Sequence, residues 1–296
     1  MDQIEKLKAA LTEADTVIIR AGAGLSAAAG YIYSGECFRK YFFDFEAKYG
    51  FHDMYSGVFT QFDSAEEKWA FWSRNIWINR YAPIPSDLYE KLFELVKDKD
   101  YFVITTNVDQ CCQRAGFDKK RLLYTQGDYG LFQRSDPSGR SAHMTYDNKE
   151  AVIKMLEAQG FEIREDNTLS VRDPKQIKMR IPSELIPYCE DDRKEMAMNL
   201  RADDTFVQDE GWHKVSERYT EFLRRHAGTK TVFLELGVGF NTPVIIKYPF
   251  WQMTHDNPNA VYACLNYNEA FAPEDIIEKS LRIDGDIREV FETLER

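Results

Sequence analysis

The first residues suited to chemistry form a glycine-rich turn at 22–27, with the sequence GAGLSA. The turn directly follows the β-branched run Thr16–Arg20 and fits the spacing G-x-G-x-x-A. Glycines at these positions let the backbone approach a pyrophosphate, whose charge is met by amide N–H groups and a helix N-terminus. The alternative interpretation is a tight strand–helix turn that holds no ligand.

The nearest downstream carboxylate argues against hydride transfer at this turn. A dehydrogenase carries a second strand and a ribose-binding acid roughly 20 residues further on. Asp44 stands near that distance, but it lies within an aromatic-rich stretch and not at the end of a strand. The spacing therefore favours a nucleotide chemistry other than that of an ordinary dehydrogenase.

Two further polar groups follow later apolar runs. Asn107 and Asp109 come directly after the buried run Tyr101–Thr105, and positions i and i+2 of an extended chain lie on one side of it. They could hold a carboxamide, a ribose or a water, or they could form an Asx-type turn that caps the next helix. Gln126 follows a shorter run, and its amide can donate and accept hydrogen bonds but cannot titrate. Alone, it indicates only a loop.

The elements that must position these groups alternate between strands and amphipathic helices. Further buried strands are predicted at Thr231–Leu236 and Ala260–Leu265. This alternation predicts an α/β fold with a doubly wound parallel, Rossmann-like sheet and a smaller inserted domain. Ligands of such sheets bind beyond the carboxyl ends of the strands. We therefore expect the polar groups after residues 20, 105 and 236 to converge.

The domain boundaries follow from changes in composition. We predict a dinucleotide-binding domain from residues 1–30, 84–130 and 228–296, interrupted by a helical insertion at 31–83 and a small α+β domain at 131–227. The insertion is rich in Phe, Tyr and Trp, and we interpret it as a packed lid over the glycine-rich turn. Ser86 is predicted to cap the helix that follows it.

Charge and cysteine content exclude several classes of partner. The formal net charge of -11 argues against nucleic acid and against an anionic membrane surface. The 5 cysteines include no CxxC pair, which fits reduced thiols in a cytosol. No apolar signal core and no run of roughly 18 apolar residues is present. We therefore expect a cytoplasmic protein.

Taken together and in this order, the motifs resemble those of the sirtuin family. Residues 21–26 reproduce its Ala-Gly-Ala-Gly-x-Ser turn, and 105–109 match Thr-Gln-Asn-Ile-Asp, with Thr106 in place of Gln. Gln126 stands where the family has its catalytic His, and residues 237–239 resemble its Gly-Thr-Ser turn. The resemblance implies NAD as cofactor and implies these cofactor-binding residues: Ala21, Gly22, Ala23, Gly24, Ser26, Thr106, Asp109, Gly237, Gly239 and Asn266.

Several family features are missing. The two CxxC pairs that hold a structural zinc are absent, and Cys189 stands alone near the place where one would begin, so no metal site is expected. Phe38 is an ambiguous counterpart of the Phe in the family's Pro-Asp-Phe-Arg segment. The run from Val207 to Asp209 loosely resembles the Phe-Gly-Glu strand that binds substrate.

The loss of the histidine carries the most weight for function. An amide at Gln126 cannot act as the general base that sirtuin deacylation needs near neutral pH. Cleavage of the nicotinamide glycosidic bond passes through an oxocarbenium-like state and needs no such base. Transfer of ADP-ribose to a carboxylate, or to another ready nucleophile, also needs little proton transfer. The substitution therefore favours transferase chemistry.

Together with the triplet Arg180–Pro182, these motifs resemble the class M, macrodomain-linked bacterial sirtuins. Members of that group are ADP-ribosyltransferases that modify a lipoyl-carrier protein similar to the glycine-cleavage H protein, and a macrodomain hydrolase reverses the mark. The resemblance implies that Asn107 and Gln126 are the catalytic pair and that Asp109 lines a nicotinamide pocket. Arg180 and Arg201 are candidate active-site cations, or else form surface salt bridges. An NAD-dependent deacylase, an NAD hydrolase and a non-catalytic NAD-sensing module remain open as alternatives.

Overall fold

The computed structural model describes residues 2–136, 141–239 and 247–295. The strands, in chain order, are β1 (Thr16–Ala21), β2 (Asp100–Thr105), β3 (Leu122–Tyr124), β4 (Gly127–Arg134), β5 (Thr145–Asp147), β6 (Glu162–Ile163), β7 (Leu169–Ser170), β8 (Met196–Leu200), β9 (Thr231–Leu236), β10 (Val261–Asn266) and β11 (Ser280–Asp284).

The α-helices, in chain order, are α1 (Gln3–Glu13), α2 (Ala23–Ala28), α3 (Gly35–Tyr49), α4 (Met54–Val58), α5 (Ala65–Ile76), α6 (Leu88–Val96), α7 (Cys111–Arg114), α8 (Lys149–Gln159), α9 (Glu210–Arg225), α10 (Lys247–Asp256) and α11 (Ile287–Leu294). A π-helical segment, Trp77–Tyr81, continues α5. Short 3₁₀ segments span Lys119–Arg121, Pro174–Gln176, Ser183–Leu185 and Glu274–Lys279. No helix within the described residues is both long enough and apolar enough to cross a membrane.

The chain forms two compact units. The first contains residues 1–30, 85–126 and 210–296, and the second contains residues 31–84 and 127–209. The predicted insertion and most of the predicted small domain thus fall in one unit. Residues 210–227, which we predicted in the small domain, belong to the first unit.

The first unit is built on a six-stranded sheet with the order β11-β10-β9-β1-β2-β3. Every neighbouring pair in it is parallel. Numbered by their order along the chain within this unit, the strands follow the Rossmann arrangement 3-2-1-4-5-6. The predicted fold class is confirmed. The strand order reverses between β1 and β9, and the carboxyl ends of these two strands are where such a sheet binds ligands.

Long-range packing explains why α9 joins this unit. Its Phe222 ring lies 5.4 Å from the ring of Phe102 on β2. The Trp212 indole N–H donates to the Tyr124 carbonyl at the end of β3, at 3.0 Å. The predicted cap of α6 was wrong: the helix begins after Asp87, and the Ser86 hydroxyl instead donates to the Ala29 carbonyl at 3.0 Å.

The second unit combines helices with two small antiparallel sheets, β5-β4-β8 and β6-β7. Buried aromatic rings from its helical part pack against apolar residues from its sheet part in one core. The buried Arg74 guanidinium on α5 also joins them, because it donates to the Asp44 carboxylate, the Gln159 side chain and the Lys178 carbonyl. Asp44, the acid considered for ribose binding, is therefore engaged in an ion pair within this unit.

Candidate functional site

The carboxyl ends of β1 and β9 are in direct backbone contact through their glycines. A Cβ on Gly22 would lie 2.7 Å from the Gly237 carbonyl oxygen, and one on Gly24 would lie 2.7 Å from the Gly237 Cα. Gly237 has a φ of +60°, and a Cβ there would lie 2.4 Å from the Gly24 carbonyl carbon. These three glycines are therefore required by the packing of one loop on the other.

The same contact occupies most of the amides that we expected to meet a pyrophosphate. The N–H of Gly24 donates to the Gly237 carbonyl at 2.9 Å, and the N–H of Leu25 donates to the Gly22 carbonyl at 3.0 Å. Ala23 is exposed, and its N–H donates to no group within the described part of the chain. Ala23 is thus the residue of this turn whose amide is left for a ligand.

The tip of β2 is fixed to the end of β1. The Ala21 carbonyl accepts hydrogen bonds from the Thr105 hydroxyl at 2.9 Å and from the Thr106 N–H at 3.1 Å. The Thr105 hydroxyl oxygen in turn accepts from the Asn107 N–H at 2.9 Å. Thr105, two residues before Asn107, therefore sets the path of the backbone that carries it.

A buried polar ring connects the glycine-rich turn with this tip, and its members are Ser26, Tyr89, Asn107 and Asp109. The Ser26 hydroxyl donates to the Asp109 carboxylate at 2.6 Å and lies 2.9 Å from the Tyr89 hydroxyl. The Asn107 amide nitrogen donates to the Gly22 carbonyl at 2.9 Å and to the Ser26 hydroxyl oxygen at 3.0 Å. The structure thus brings four of the predicted site residues together: Gly22, Ser26, Asn107 and Asp109.

Both N–H groups of the Asn107 amide are used inside the protein, but its carbonyl oxygen is not. That oxygen accepts no hydrogen bond from the described residues, and it is not among their buried unpaired polar atoms. Asn107 therefore presents a fixed acceptor to solvent or to a ligand. A ribose hydroxyl or a water is the kind of donor that it suits.

Tyr89 was missed from the sequence. It lies on α6 among the apolar residues of a helical stripe, and such a position predicts a core residue. Its ring is buried, as that pattern implies, but its hydroxyl reaches Ser26. No local signal in the sequence distinguishes this tyrosine from an ordinary core residue.

Gln126 lies in the turn between β3 and β4. The N–H and the hydroxyl of Thr125 both donate to the Thr105 carbonyl, at 2.9 and 3.0 Å, so the turn is anchored to the end of β2. The half-buried Gln126 side chain makes no hydrogen bond among the residues that the structure describes. Gln126 and Asn107 thus stand at the same edge of the sheet, Gln126 with an unused side-chain amide and Asn107 with an unused side-chain carbonyl oxygen.

Two predicted residues belong to the surroundings of the loop after β9: Asn266 bonds to the loop, and Gly239 lies in it. The Asn266 side-chain amide, at the end of β10, donates to the Val238 carbonyl at 3.0 Å. Gly239 is exposed, and a Cβ there would meet only the Glu269 carboxylate, at 3.6 Å, within the described ranges of the chain. Packing within the described chain therefore explains Gly237 but not Gly239.

Val207 and Arg201 lie in the second unit. The Val207 N–H donates to the Gln133 side-chain oxygen at 2.9 Å, and its carbonyl accepts from the Asn199 side chain at 3.0 Å. The Arg201 guanidinium lies over the Phe206 ring, 4.4 Å from its centroid. Two buried amide side chains thus hold the backbone of the segment that resembles the substrate strand.

Arg180 and Phe38 have other surroundings in that unit. The exposed Arg180 guanidinium donates to the Ser64 hydroxyl at 3.3 Å and lies 3.8 Å from the Glu66 carboxylate. This matches the surface salt-bridge interpretation. Phe38 is fully buried, and its ring stacks on that of Phe42 with the centroids 5.1 Å apart, within the core of this unit.

The residues around Cys189 do not fit a tetrahedral zinc site. Its sulfur lies in a cluster with the Asp191 and Asp192 carboxylates, but the Arg134 guanidinium donates to both of them. Burial raises the pKa of the Cys189 thiol, which disfavours the thiolate that zinc requires. Cys189 thus belongs to an ion-pair cluster centred on Arg134.

Two curated proteins are similar to this chain in sequence. A protein ADP-ribosyltransferase of Staphylococcus aureus is 36% identical over 293 residues, which cover 98% of this chain and 86% of that protein. A probable bifunctional ADP-ribose hydrolase/ADP-ribosyltransferase of Fusarium oxysporum is 29% identical over 251 residues, which cover 81% of this chain and 38% of that protein. No family model matches the sequence.

Solved structures agree in fold. A Sir2 homologue in complex with NAD has a TM-score of 0.54 at 16% identity, covering 99% of this chain and 92% of that one. The parallel sheet and its polar carboxyl edge thus define a sirtuin-type Rossmann fold. On the sequence match, the chain belongs to the family of the Staphylococcus aureus protein ADP-ribosyltransferase.

Proposed function

We propose that this chain is an NAD-dependent protein ADP-ribosyltransferase. The observation that carries the proposal is the amide of Gln126, which stands at the sheet edge beside the Asn107 tip, where the sirtuin resemblance places a histidine. An amide does not accept a proton near neutral pH, so the residue at this position cannot serve as a general base. The name of the Staphylococcus aureus relative supports the same activity.

The residues of the first unit fit a dinucleotide. The exposed N–H of Ala23 can donate to a phosphate, and the Asn107 carbonyl oxygen can accept from a ribose hydroxyl. In the transfer, the glycosidic bond of NAD would break, nicotinamide would leave, and the same ribose carbon would bond to a carboxylate oxygen or another ready nucleophile of the acceptor. Asn107 orients the ribose through its carbonyl oxygen, which is held in place by the hydrogen bonds of the Asn107 N–H groups. Gln126 offers a neutral hydrogen-bond donor and acceptor and removes no proton. Asp109 holds the Ser26 hydroxyl, which accepts from the Asn107 amide. Asn266 holds the Val238 carbonyl in the loop after β9.

The acceptor that we propose is a lipoyl-carrier protein similar to the glycine-cleavage H protein. The support is the resemblance of the motifs to the class M bacterial sirtuins. A macrodomain hydrolase is the proposed partner that reverses the mark. The name of the Fusarium oxysporum relative, which joins an ADP-ribose hydrolase and a transferase, supports such a pairing.

The test is to incubate the protein with NAD labelled in the adenosine part, together with a lipoyl-carrier protein. Nicotinamide release and label on the carrier are measured together. Parallel reactions contain NAD alone and NAD with an acylated peptide. We expect label on the carrier, and we expect Asn107→Ala and Gln126→Ala to reduce it strongly. Gln3→Ala is the matched control, because Gln3 is an exposed glutamine of the same unit, far along the chain from the site.

Each alternative has its own result. Nicotinamide release with NAD alone and no labelled protein indicates an NAD hydrolase. Loss of the acyl group from the peptide indicates a deacylase. Binding of NAD without release of nicotinamide indicates a sensing module. Full labelling by both variants would contradict the roles proposed for Asn107 and Gln126.

A further inference from the structure

The Tyr89 hydroxyl is the part of the buried ring that the proposed chemistry does not yet use. Tyr89 is 1% exposed, and its hydroxyl lies 2.9 Å from the Ser26 oxygen and 3.4 Å from the Asn107 amide nitrogen. A phenylalanine would fill almost the same space in an apolar helix stripe. The hydroxyl therefore needs an explanation other than packing.

The direction of each hydrogen bond in the ring can be assigned from its neighbours. The Asp109 carboxylate only accepts, and it accepts from the Cys111 N–H and from the Ser26 hydroxyl. The single proton of Ser26 is thereby used, so Ser26 can only accept from Tyr89. Burial raises the pKa of Tyr89 well above its ordinary value, so the phenol keeps the proton that it donates.

Ser26 is consequently held by three neighbours. It donates to Asp109 and accepts from Tyr89 and from the second N–H of Asn107. The first N–H of Asn107 is bonded to the Gly22 carbonyl. With Ser26 fixed, the Asn107 amide has one favourable orientation, in which its carbonyl oxygen points away from the ring.

We propose that Tyr89 is a positioning residue for the reaction, because its hydroxyl fixes Ser26 and thereby fixes the Asn107 carbonyl oxygen that faces the ligand. This inference rests on the proposed function, in which Asn107 orients the ribose. Tyr89 itself touches neither NAD nor the acceptor in this proposal. It acts through Ser26.

The first test compares Tyr89→Phe with Tyr262→Phe. Tyr262 is a matched control, because it is a fully buried tyrosine of the same unit whose hydroxyl donates to the Glu235 carboxylate at 2.9 Å, outside the ring. Both variants lose one buried hydroxyl, so we expect similar small decreases in thermal stability. Only Tyr89→Phe should lower the kcat of nicotinamide release, by about tenfold, with the KM for NAD changed less than about twofold.

The second test asks whether the effect passes through Ser26. In a Ser26→Ala background, Tyr89→Phe should lower kcat less than about twofold further, because its 2.9 Å bond to Ser26 is already absent and only the longer, 3.4 Å bond from the Asn107 amide remains to be lost. A full tenfold loss in that background would overturn the proposed route. A wild-type kcat in Tyr89→Phe, or an equal loss in Tyr262→Phe, would overturn the positioning role while the transferase stands. A wild-type protein that releases no nicotinamide would overturn the proposed function and this inference with it.

Discussion

Each of the two units contains a buried polar network, and the two networks differ in how completely they are satisfied. In the second unit, all five N–H groups of Arg74 donate to protein acceptors, namely Asp44, Gln159 and two backbone carbonyls. In the first unit, the Asn107 amide uses both of its N–H groups but leaves its oxygen unbonded among the described residues. The saturated network has nothing left to offer a ligand. The unsaturated one presents a fixed acceptor.

The largest effect is expected from breaking the saturated network. Arg74→Met should lower the free energy of unfolding by about 3–5 kcal/mol, because it leaves the Asp44 carboxylate and several buried acceptors without their partner. Urea denaturation followed by tryptophan fluorescence measures this. Arg224→Met is the control, since its bond to Glu221 is exposed, and we expect a change of at most about 1 kcal/mol. A loss below about 1 kcal/mol in Arg74→Met would contradict a scaffolding role.

The unsaturated network should respond in activity more than in stability. Asn107→Asp places a carboxylate oxygen against the Gly22 carbonyl or removes the donor to Ser26, so the fixed orientation is lost. We expect nicotinamide release to fall on the order of 10²-fold. The matched control is Asn259→Asp, because the exposed Asn259 amide also donates to a glycine carbonyl, that of Gly228, at 2.9 Å. Equal activity of the two variants would remove Asn107 from the site.

The strands and the sheet edge that carry the Asn107 network could be predicted from the sequence, because the signals for strands are local. Short buried runs predicted β1 and β9, and the alternation of strands and helices predicted that their polar ends meet at one edge of a parallel sheet. The partners of Arg74 could not be predicted, since Gln159 lies far from it along the chain. The role of the Tyr89 hydroxyl could not be predicted either, because its partner Ser26 belongs to a turn far away along the chain. Local patterns fix periodicity, whereas hydrogen-bond partners depend on tertiary packing.

The loop after β9 shows a similar contrast between Gly237, which is packed against the glycine-rich turn, and the exposed Gly239. Gly237→Ala should destabilise the protein by about 1–3 kcal/mol, because the new Cβ would clash with the Gly24 backbone and φ is +60°. Thermal unfolding measures the loss, which should also lower NAD affinity because the glycine-rich turn would shift. Gly228→Ala controls for backbone strain alone, since Gly228 has a positive φ of 79° but no described atom lies within 4 Å of its added Cβ. An equal loss in both would show that loop packing adds nothing at Gly237.

The smallest change in stability is expected at Gly239. Among the residues that the structure describes, its added Cβ would meet only the Glu269 carboxylate, at 3.6 Å, so Gly239→Ala should alter the free energy of unfolding by no more than about 0.5 kcal/mol. The sirtuin resemblance nevertheless places this residue among those that bind the cofactor. If a ligand approaches the backbone there, the KM for NAD should rise while stability stays unchanged. If Gly239→Ala changes neither the stability nor the KM for NAD, the open space at Gly239 is ordinary surface. An open position would then indicate a binding site only where, as for the Asn107 carbonyl oxygen, the surrounding hydrogen bonds hold the group in one orientation.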